Sequence, residues 1–373
     1  MDFSLSDDHL ALTAAVRRYC DDTYPAHERG NRPTAEQTAA RRAGLAELGL
    51  YGLAVPAEHG GSGLATVELM LAAQELGRAL ADEGWLASAA LCAPLLARAA
   101  SAEQKARWLE PAAQGSLRLA LAHGEAEGRY HPTHCATTAR ASADGYVLDG
   151  AKSLVLGGAD ADLYLVVARV AGNVDQHGGL ALFAVPADST GLTVQAFSTL
   201  DARGAAHLRL ANVAVPFTDV IGPVGEIAPL LEETLDRGAA VVCGEAVGAL
   251  EALQEATLEH LRTRKQFGQS LSRFQALQHR VADLFIAIEQ LKSMACAAAM
   301  AVDAGEPTQR RRIVSAAKLL TGQLGRRAGN DVIQMHGAMG MTDECRVGHY
   351  VKRLMVDNGL FGDAHHHLGL LAA

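Results

Sequence analysis

The segment RTRKQFGQSLSRFQALQHRVADL, residues 262–284, joins a cluster of basic residues to the start of a long apolar helix. In this helix Val281, Leu284, Phe285, Ile288 and Leu291 recur at the spacing that places apolar side chains on one face. The alanine-rich continuation permits close packing against neighbouring helices. The pattern predicts a helical bundle, and a bundle this apolar often continues across a subunit interface.

Outward from this segment, the chain changes character twice. Residues 1–115 are rich in helix signals, residues 116–225 alternate with the period of two that is typical of short strands, and residues 226–373 are helical again. Apolar residues make up 49% of the chain and aromatic residues 5%, which favours a mainly helical protein. The sequence therefore predicts an α+β fold, mainly α, in which a β domain separates two helical domains.

The charge balance excludes one class of partner and restricts another. With a net charge of -9, the chain has no basic stripe that could neutralise the phosphates of a nucleic acid. Basic residues cluster only locally, in RTRK (262–265) and QRRRI (309–313). Any anion that the chain binds must therefore be held by such a local patch.

The cysteines and the N-terminus indicate a compartment. The six cysteines lack C-x-x-C spacing, which favours buried thiols in a reducing compartment over a disulfide framework or a zinc site. The N-terminus carries acids where a signal peptide would carry positive charge. No apolar stretch reaches transmembrane length without charges. We expect a cytoplasmic protein without a membrane partner.

Four motifs in one order resemble those of the acyl-CoA dehydrogenases. Residues 262–284 resemble that family's Arg-x-x-Phe-Gly and Phe-Gln-x-x-Gln-His signature, and VIQMHGAMGMTDECRVGHYVKRL (332–354) resembles its Gln-x-x-Gly-Gly-x-Gly signature. AVPAEHGGSG (54–63) and LRLANVAVP (208–216) resemble a loop of its N-terminal domain and a strand of its β domain. The resemblance covers essentially the whole chain. It implies an N-terminal helical domain, a middle β-barrel-like domain and a C-terminal four-helix bundle.

The resemblance also implies the family's chemistry. An acyl-CoA thioester loses its α-proton to a carboxylate base and its β-hydrogen, as hydride, to the flavin of FAD, which gives a 2-enoyl-CoA. Hydrogen-bond donors must hold the thioester oxygen as enolate-like charge develops there, and the base must lie in a dry pocket. An electron-transfer flavoprotein is the implied electron acceptor.

In the family FAD lies across a subunit interface, with its adenosine diphosphate end against the neighbour's C-terminal domain. The residues that this resemblance assigns to that end are Arg264, Gln266, Phe267, Leu271, Phe274, Gln334, Gly337 and Ala338. Arg264 would pair with the pyrophosphate, which its planar guanidinium suits because it donates two parallel hydrogen bonds. Ala338 stands where the family usually has a second glycine.

The residues expected at the flavin end of the cofactor differ from the family pattern. HGEAEGRY (123–130) replaces a Thr-Glu-Pro motif, so that a hydroxyl is lost near His123. In GAKSLVL (150–156), Leu154 replaces the aromatic residue that covers the flavin and Leu156 replaces a second hydroxyl. Each polar flavin group left unpaired would cost about 1–3 kcal/mol.

Neither position that carries the base in this family holds a carboxylate here. Counted from Gln334, the usual glutamate falls on Phe361, and the alternative position, counted from Phe267, falls on Gly238. Asp363 is the candidate for a displaced base, although it would serve equally as the cap of the final helix.

The histidine run HHH (365–367) lies beside that segment. His366 or His367 could act as a neutral base in place of Asp363. Consecutive residues on a helix point about 100° apart, so the three imidazoles cannot jointly face one ion. We therefore expect no metal site.

Three functions remain open from the sequence. The chain is an active homo-oligomeric dehydrogenase with a relocated base, or the partner subunit of a heterotetramer whose sister chain carries the base, or a structural protein that binds CoA esters without chemistry. FGDAHHHL (361–368) and RYHPTHCATTA (129–139) resemble most the small subunits of pimeloyl-CoA-type dehydrogenases. That subgroup implies dicarboxylic or polycyclic, steroid-like acyl groups.

Overall fold

The computed structural model describes residues 3–25 and 33–372. The outermost residues of the predicted terminal domains and residues 26–32 lie outside this described part. Within it, helices come first, strands occupy the middle of the chain, and helices form the rest. The mainly helical α+β architecture expected from the sequence is confirmed.

Among the described residues, the N-terminal domain contains six α-helices. They are α1 (Asp7–Thr23), α2 (Ala35–Glu47), α3 (Thr66–Ala79), α4 (Ala93–Ala99), α5 (Ala102–Gln104) and α6 (Glu110–Ala113). Ser6 caps α1 by accepting a hydrogen bond from the His9 N–H at 3.2 Å, which satisfies one of the free amides at the helix start. Two π-helical segments, Leu86–Cys92 and Lys105–Leu109, precede α4 and α6.

The middle domain is one eight-stranded sheet. Its strands are β1 (Leu119–Ala122), β2 (Thr138–Ala141), β3 (Gly145–Leu156), β4 (Leu163–Arg169), β5 (Leu180–Pro186), β6 (Leu192–Ser198), β7 (Gly204–Pro216) and β8 (Val220–Ile221). The order is β6-β7-β3-β2-β4-β5-β8, and β1 pairs in parallel with β4. The pairing of β3 with β7 shifts register between Lys152 and Val155. This irregularity changes the direction in which side chains point in the segment that the resemblance places at the flavin.

The C-terminal domain is a bundle of long helices. Its elements are α7 (Ala228–Thr263), a hairpin of β9 (Lys265–Gln266) and β10 (Gln269–Ser270), α8 (Gln275–Ala304), α9 (Pro307–His336), α10 (Val347–Gly359) and α11 (Ala364–Ala372). Glycine lets α7 approach α3 closely, since a Cβ on Gly248 would lie 1.7 Å from the Gln74 carbonyl oxygen. A bulkier residue there would push the N-terminal domain off the bundle.

Helix α8 buries only part of its predicted apolar face. Leu284, Ile288 and Leu291 are buried, as expected, but Phe285 is 55% exposed and its neighbour Ile286 is 53% exposed. The helix is long and apolar enough to span a membrane by length and composition, yet half of its most apolar window is buried inside the protein. The exposed apolar side of α8 is typical of a helix that packs against another chain.

A network of buried charges joins the middle and C-terminal domains. The Arg353 guanidinium contacts Asp201 of the middle domain at 2.6 Å and Glu245 of α7 at 2.5 Å. Arg203 contacts Asp357 of α10 at 3.1 Å and also pairs with Glu245. Burial raises the pKa of the Asp357 carboxyl well above its usual range. Since buried charges are costly without partners, each arginine here stabilises carboxylates from more than one domain.

Candidate active site

The hairpin after α7 carries the basic cluster of the first motif. The Arg264 N–H donates to the His260 carbonyl oxygen at 2.9 Å, and the Arg264 carbonyl accepts from the Leu271 N–H at 2.9 Å, so both sides of the hairpin are fixed. Phe267 forms the turn with a φ of 54° and its side chain is 89% exposed. Its ring meets Phe274 edge to face at 6.1 Å between centroids. A phenylalanine so exposed in a left-handed turn is costly unless another molecule covers it.

The second motif lies where α9 ends. Gly337 adopts φ 64° and ψ −146°, a conformation that is open essentially to glycine alone. Apart from its chain neighbours, a Cβ built on Gly337 would meet no atom of the described residues within 4 Å, so the backbone is accessible to a ligand from outside. Gln334 and Ala338 are also exposed.

The structure brings these two motifs together. His260, one turn before Arg264, stacks on His336, which directly precedes Gly337, with ring centroids 4.3 Å apart and planes at 26°. The residues predicted for the diphosphate end of the cofactor therefore lie at one end of the bundle, around the ends of α7 and α9. Neither histidine is marked by the sequence pattern: His260 lies just before the first motif, and His336 occupies an unspecified position within the second.

The segments predicted for the flavin end of the cofactor, residues 123–130 and 150–156, present a histidine and two leucines. Burial, reinforced by the Lys152 ammonium, lowers the pKa of His123 to about 4, so that its imidazole is neutral. Its buried Nδ1 has no hydrogen-bond partner. Leu154 adopts a φ of 51° and is 45% exposed, and its N–H points to Nδ1 of His207 at 3.4 Å. Leu156 packs against the core that contains Trp85.

The two positions at which the family carries its base meet each other in this chain. A Cβ built on Gly238 of α7 would lie 2.7 Å from Cζ of Phe361 and 2.7 Å from Cδ2 of Leu91. Phe361 itself has a left-handed backbone, with a φ of 57°, which turns its ring towards α7. An aromatic ring packed against a glycine thus fills the place that the resemblance assigns to a catalytic carboxylate.

This contact predicts an unusual response to alanine. An alanine in mid-helix is normally more stable than glycine by about 1 kcal/mol, but we expect Gly238→Ala to destabilise the chain by about 1–3 kcal/mol because the new methyl group overpacks Phe361 and Leu91. Urea unfolding measures the difference. The same substitution at Gly369 of α11, where a Cβ would meet nothing, is the control and should be neutral or stabilising. Equal effects at the two sites would contradict the contact.

The displaced acid and the histidine run have other partners. The Asp363 carboxylate accepts from the His366 N–H at 2.8 Å and so caps α11. The His366 ring packs on Tyr130 at 5.2 Å. Burial lowers the pKa of His367 to about 4, and its two ring nitrogens contact the Ser315 hydroxyl and the Phe361 carbonyl oxygen, each at 3.1 Å. His367 therefore fixes the backbone of Phe361, while His365 is exposed.

Comparisons with known proteins agree with this architecture. Models of the N-terminal, middle and C-terminal domains of acyl-CoA dehydrogenases match residues 6–116, 120–213 and 228–373. A probable acyl-CoA dehydrogenase of Bacillus subtilis, YngJ, is 30% identical over 349 residues, which cover 92% of this chain and 91% of that protein. The chain belongs to the acyl-CoA dehydrogenase family.

Solved structures give the same result for the fold of this acyl-CoA dehydrogenase family member. The ChsE4-ChsE5 complex from Mycobacterium tuberculosis has a chain with a TM-score of 0.87 and 26% identity, covering 100% of this chain and 98% of that one. Butyryl-CoA dehydrogenase from Megasphaera elsdenii has a TM-score of 0.90 at 23% identity, covering 100% and 99% of the two chains, and supports the fold alone.

Family membership confirms the predicted chemistry. The chain is a flavin-dependent enzyme of the class that dehydrogenates acyl-CoA, and its cofactor is FAD. When bound, FAD accepts the hydride that the acyl group loses. The residues of this chain contribute position, charge and exclusion of water around that step.

The two halves of the FAD site fit the cofactor unequally. Arg264, Gln334 and Gly337 offer an exposed guanidinium, an exposed amide and an open backbone, which suit a diphosphate. At the flavin end, the buried Nδ1 of the neutral His123 ring has no hydrogen-bond partner among the described residues. Oxidised flavin needs donors at N5 and O4, and the Leu156 side chain supplies none. The side chains of this chain therefore suit the diphosphate end of FAD better than the flavin end.

Proposed function

We propose that this chain is the partner subunit of a heteromeric acyl-CoA dehydrogenase. It lends its diphosphate clamp, formed by Arg264, Gln266, Phe267 and Gln334, to an FAD whose flavin is held by a sister chain. The sister chain supplies the carboxylate that removes the α-proton. The assembly carries out the family's reaction, the α,β-dehydrogenation of an acyl-CoA thioester.

The contact between Phe361 and Gly238 carries this proposal. Both positions from which the family presents a base converge on one point, and here an aromatic ring occupies it. A phenylalanine cannot take a proton, and any side chain at position 238 would collide with the Phe361 ring. The chain can take part in the reaction without a base of its own only if another chain provides one.

The exposed surface supports an assembly. Phe267, Phe285 and Ile286 are large apolar side chains left in water by the isolated chain. Removing such side chains from water stabilises an interface by about 1.5–3 kcal/mol each when they are fully covered. The ChsE4-ChsE5 complex, which this chain resembles, is itself a complex of two differently named chains.

The same resemblance leads us to propose a subgroup, an electron acceptor and a cellular compartment for this chain. The chain resembles the small subunits of pimeloyl-CoA-type dehydrogenases, so the assembly acts on a dicarboxylic or polycyclic acyl-CoA and passes electrons to an electron-transfer flavoprotein. All six cysteines are free, which supports a cytoplasmic location.

Asp363 provides a test against the relocated-base hypothesis. Asparagine caps a helix as well as aspartate does, so Asp363→Asn keeps the cap on α11 while it removes the carboxylate. We expect the rate of flavin reduction by acyl-CoA in the assembly to stay within about twofold of the parent rate. If Asp363 were the base, stopped-flow absorbance would show a rate lower by about 10²–10⁴-fold.

The flavin content of purified protein tests the proposal itself. The full chain is expressed alone and together with a second acyl-CoA dehydrogenase chain that retains the glutamate and is encoded beside it. The proposal predicts a colourless chain when it is alone and one FAD per pair of chains in the co-purified assembly. One firmly bound FAD for every copy of the isolated chain would overturn it.

A further inference from the structure

The stacked pair of His260 and His336 lies between the two motifs that form the diphosphate clamp. Each imidazole belongs to the last turn of a long helix, α7 for His260 and α9 for His336. Their rings are 4.3 Å apart. His260 lies four residues before the clamp residue Arg264, and His336 lies between the clamp residue Gln334 and Gly337. The pair is therefore a contact between the two helix ends that carry the clamp.

The placement of the clamp raises an electrostatic problem. The C-terminal end of a helix carries a partial negative charge of roughly half an electron, and two such ends meet here. A diphosphate brought to this place is repelled by both helix ends unless positive charge compensates. A protonated histidine in the last turn of a helix is stabilised by the same partial charge that repels the anion.

The hydrogen-bond environment of His336 suits an imidazolium. Its Nδ1 lies 3.0 Å from the Val332 carbonyl oxygen. This contact favours the protonated form of the ring. A neutral imidazole meets the carbonyl with its one N–H, and protonation places a second N–H on Nε2.

The charged groups around the pair explain why it is neutral without a ligand. Burial, followed by the neighbouring His336 and the Arg264 guanidinium, lowers the pKa of His260. Burial lowers the pKa of His336 as well, and Arg346, which precedes α10, opposes a further positive charge. Arg346 is itself paired with Glu259 at 3.0 Å. An anion bound between Arg264 and Gly337 would offset these positive charges, so that the protonated form of the histidine pair becomes favoured.

We infer that the His260–His336 pair takes up a proton when the diphosphate of FAD binds and supplies part of the positive charge of the clamp. This inference rests on the proposed function and names two positioning residues for it: His260, which precedes the first motif, and His336, which occupies an unspecified position of the second motif. The bound state holds more protons than the free state, so FAD affinity rises as the pH falls. The increase is at most tenfold per pH unit for one proton taken up, and it occurs between the pKa of the free pair and that of the bound pair.

Affinity and proton uptake test the inference in the assembly of this chain with its sister chain. FAD binding to the apo-assembly is measured by quenching of flavin fluorescence at pH 6 and pH 8, and calorimetry in buffers of different ionisation enthalpy counts the protons taken up. We expect binding about three- to tenfold tighter at pH 6, together with net proton uptake. The double variant His260→Tyr/His336→Gln removes both titrating rings, and it should abolish the pH dependence and the proton uptake.

Further variants distinguish failure of this inference from failure of the proposed function. His260→Gln/His336→Gln provides a second non-titrating pair if tyrosine disturbs the fold, and the exposed His365→Gln is the matched control, which should keep the pH dependence. A pH-independent affinity, or proton uptake that survives both double variants, overturns this inference and leaves the proposed function intact. FAD binding that is indifferent to Arg264 instead overturns the proposed function.

Discussion

Replacement of Arg264 by alanine is expected to lower the FAD affinity of the assembly by on the order of 100-fold. The side chain is an exposed guanidinium on a hairpin that is fixed on both sides, so it is placed for two parallel hydrogen bonds to a diphosphate. Loss of one partner of a charge-assisted pair typically costs about 2–5 kcal/mol in binding. Equilibrium dialysis of FAD against the apo-assembly measures the effect.

Arg262 is the matched control for this experiment. It is also exposed, lies only two residues earlier, and stands outside the motif that resembles the family signature. We expect Arg262→Ala to change FAD affinity by less than about threefold, mostly through long-range charge that salt screens. Equal losses for the two variants would mean that net charge, and not the position of one guanidinium, governs binding.

The largest effect on stability is expected for Arg353→Met. Arg353 is 2% exposed and its guanidinium contacts Asp201 and Glu245, so the substitution leaves two buried carboxylates with less positive charge. Breaking a buried ion pair in this way costs about 3–5 kcal/mol. Because the two acids belong to different domains, we expect the middle domain to lose its fixed position on the bundle. Urea unfolding and limited proteolysis between the domains measure both consequences.

A surface arginine of the same bundle provides the comparison. Arg327 is 66% exposed and pairs with Asp283 at 3.1 Å, so Arg327→Met removes an ion pair that water already screens. We expect a cost below about 1 kcal/mol. A loss for Arg353→Met as small as this would show that the buried network contributes little to holding the domains together.

The fold was predictable because its signals are local. The change of apolar period near residues 116 and 226 depends only on neighbouring residues, and the structure follows it. Ser6 was predictable as a helix cap for the same reason. The exposure of Phe285 could not be predicted, because the helical period groups apolar side chains on a face but does not say whether the same chain or another one covers that face.

The candidate site was predictable residue by residue but not as an arrangement. Counting along the chain indicated Phe361 and Gly238 separately, and only the packing of α7 against the segment before α11 shows that they touch. The stack of His260 on His336 had no signal of its own, since the two residues belong to helices that meet only in the folded bundle. Contacts between residues far apart in sequence depend on packing, which a single sequence does not display.

The central claim is that this chain clamps the diphosphate of an FAD whose flavin and base belong to another chain. The most direct measurement is an anaerobic titration with pimeloyl-CoA and octanoyl-CoA, followed at flavin wavelengths, on the isolated chain with added FAD and on the assembly with its sister chain. The account predicts bleaching only in the assembly, and none when the sister's glutamate is replaced by glutamine. Bleaching by the isolated chain would contradict it.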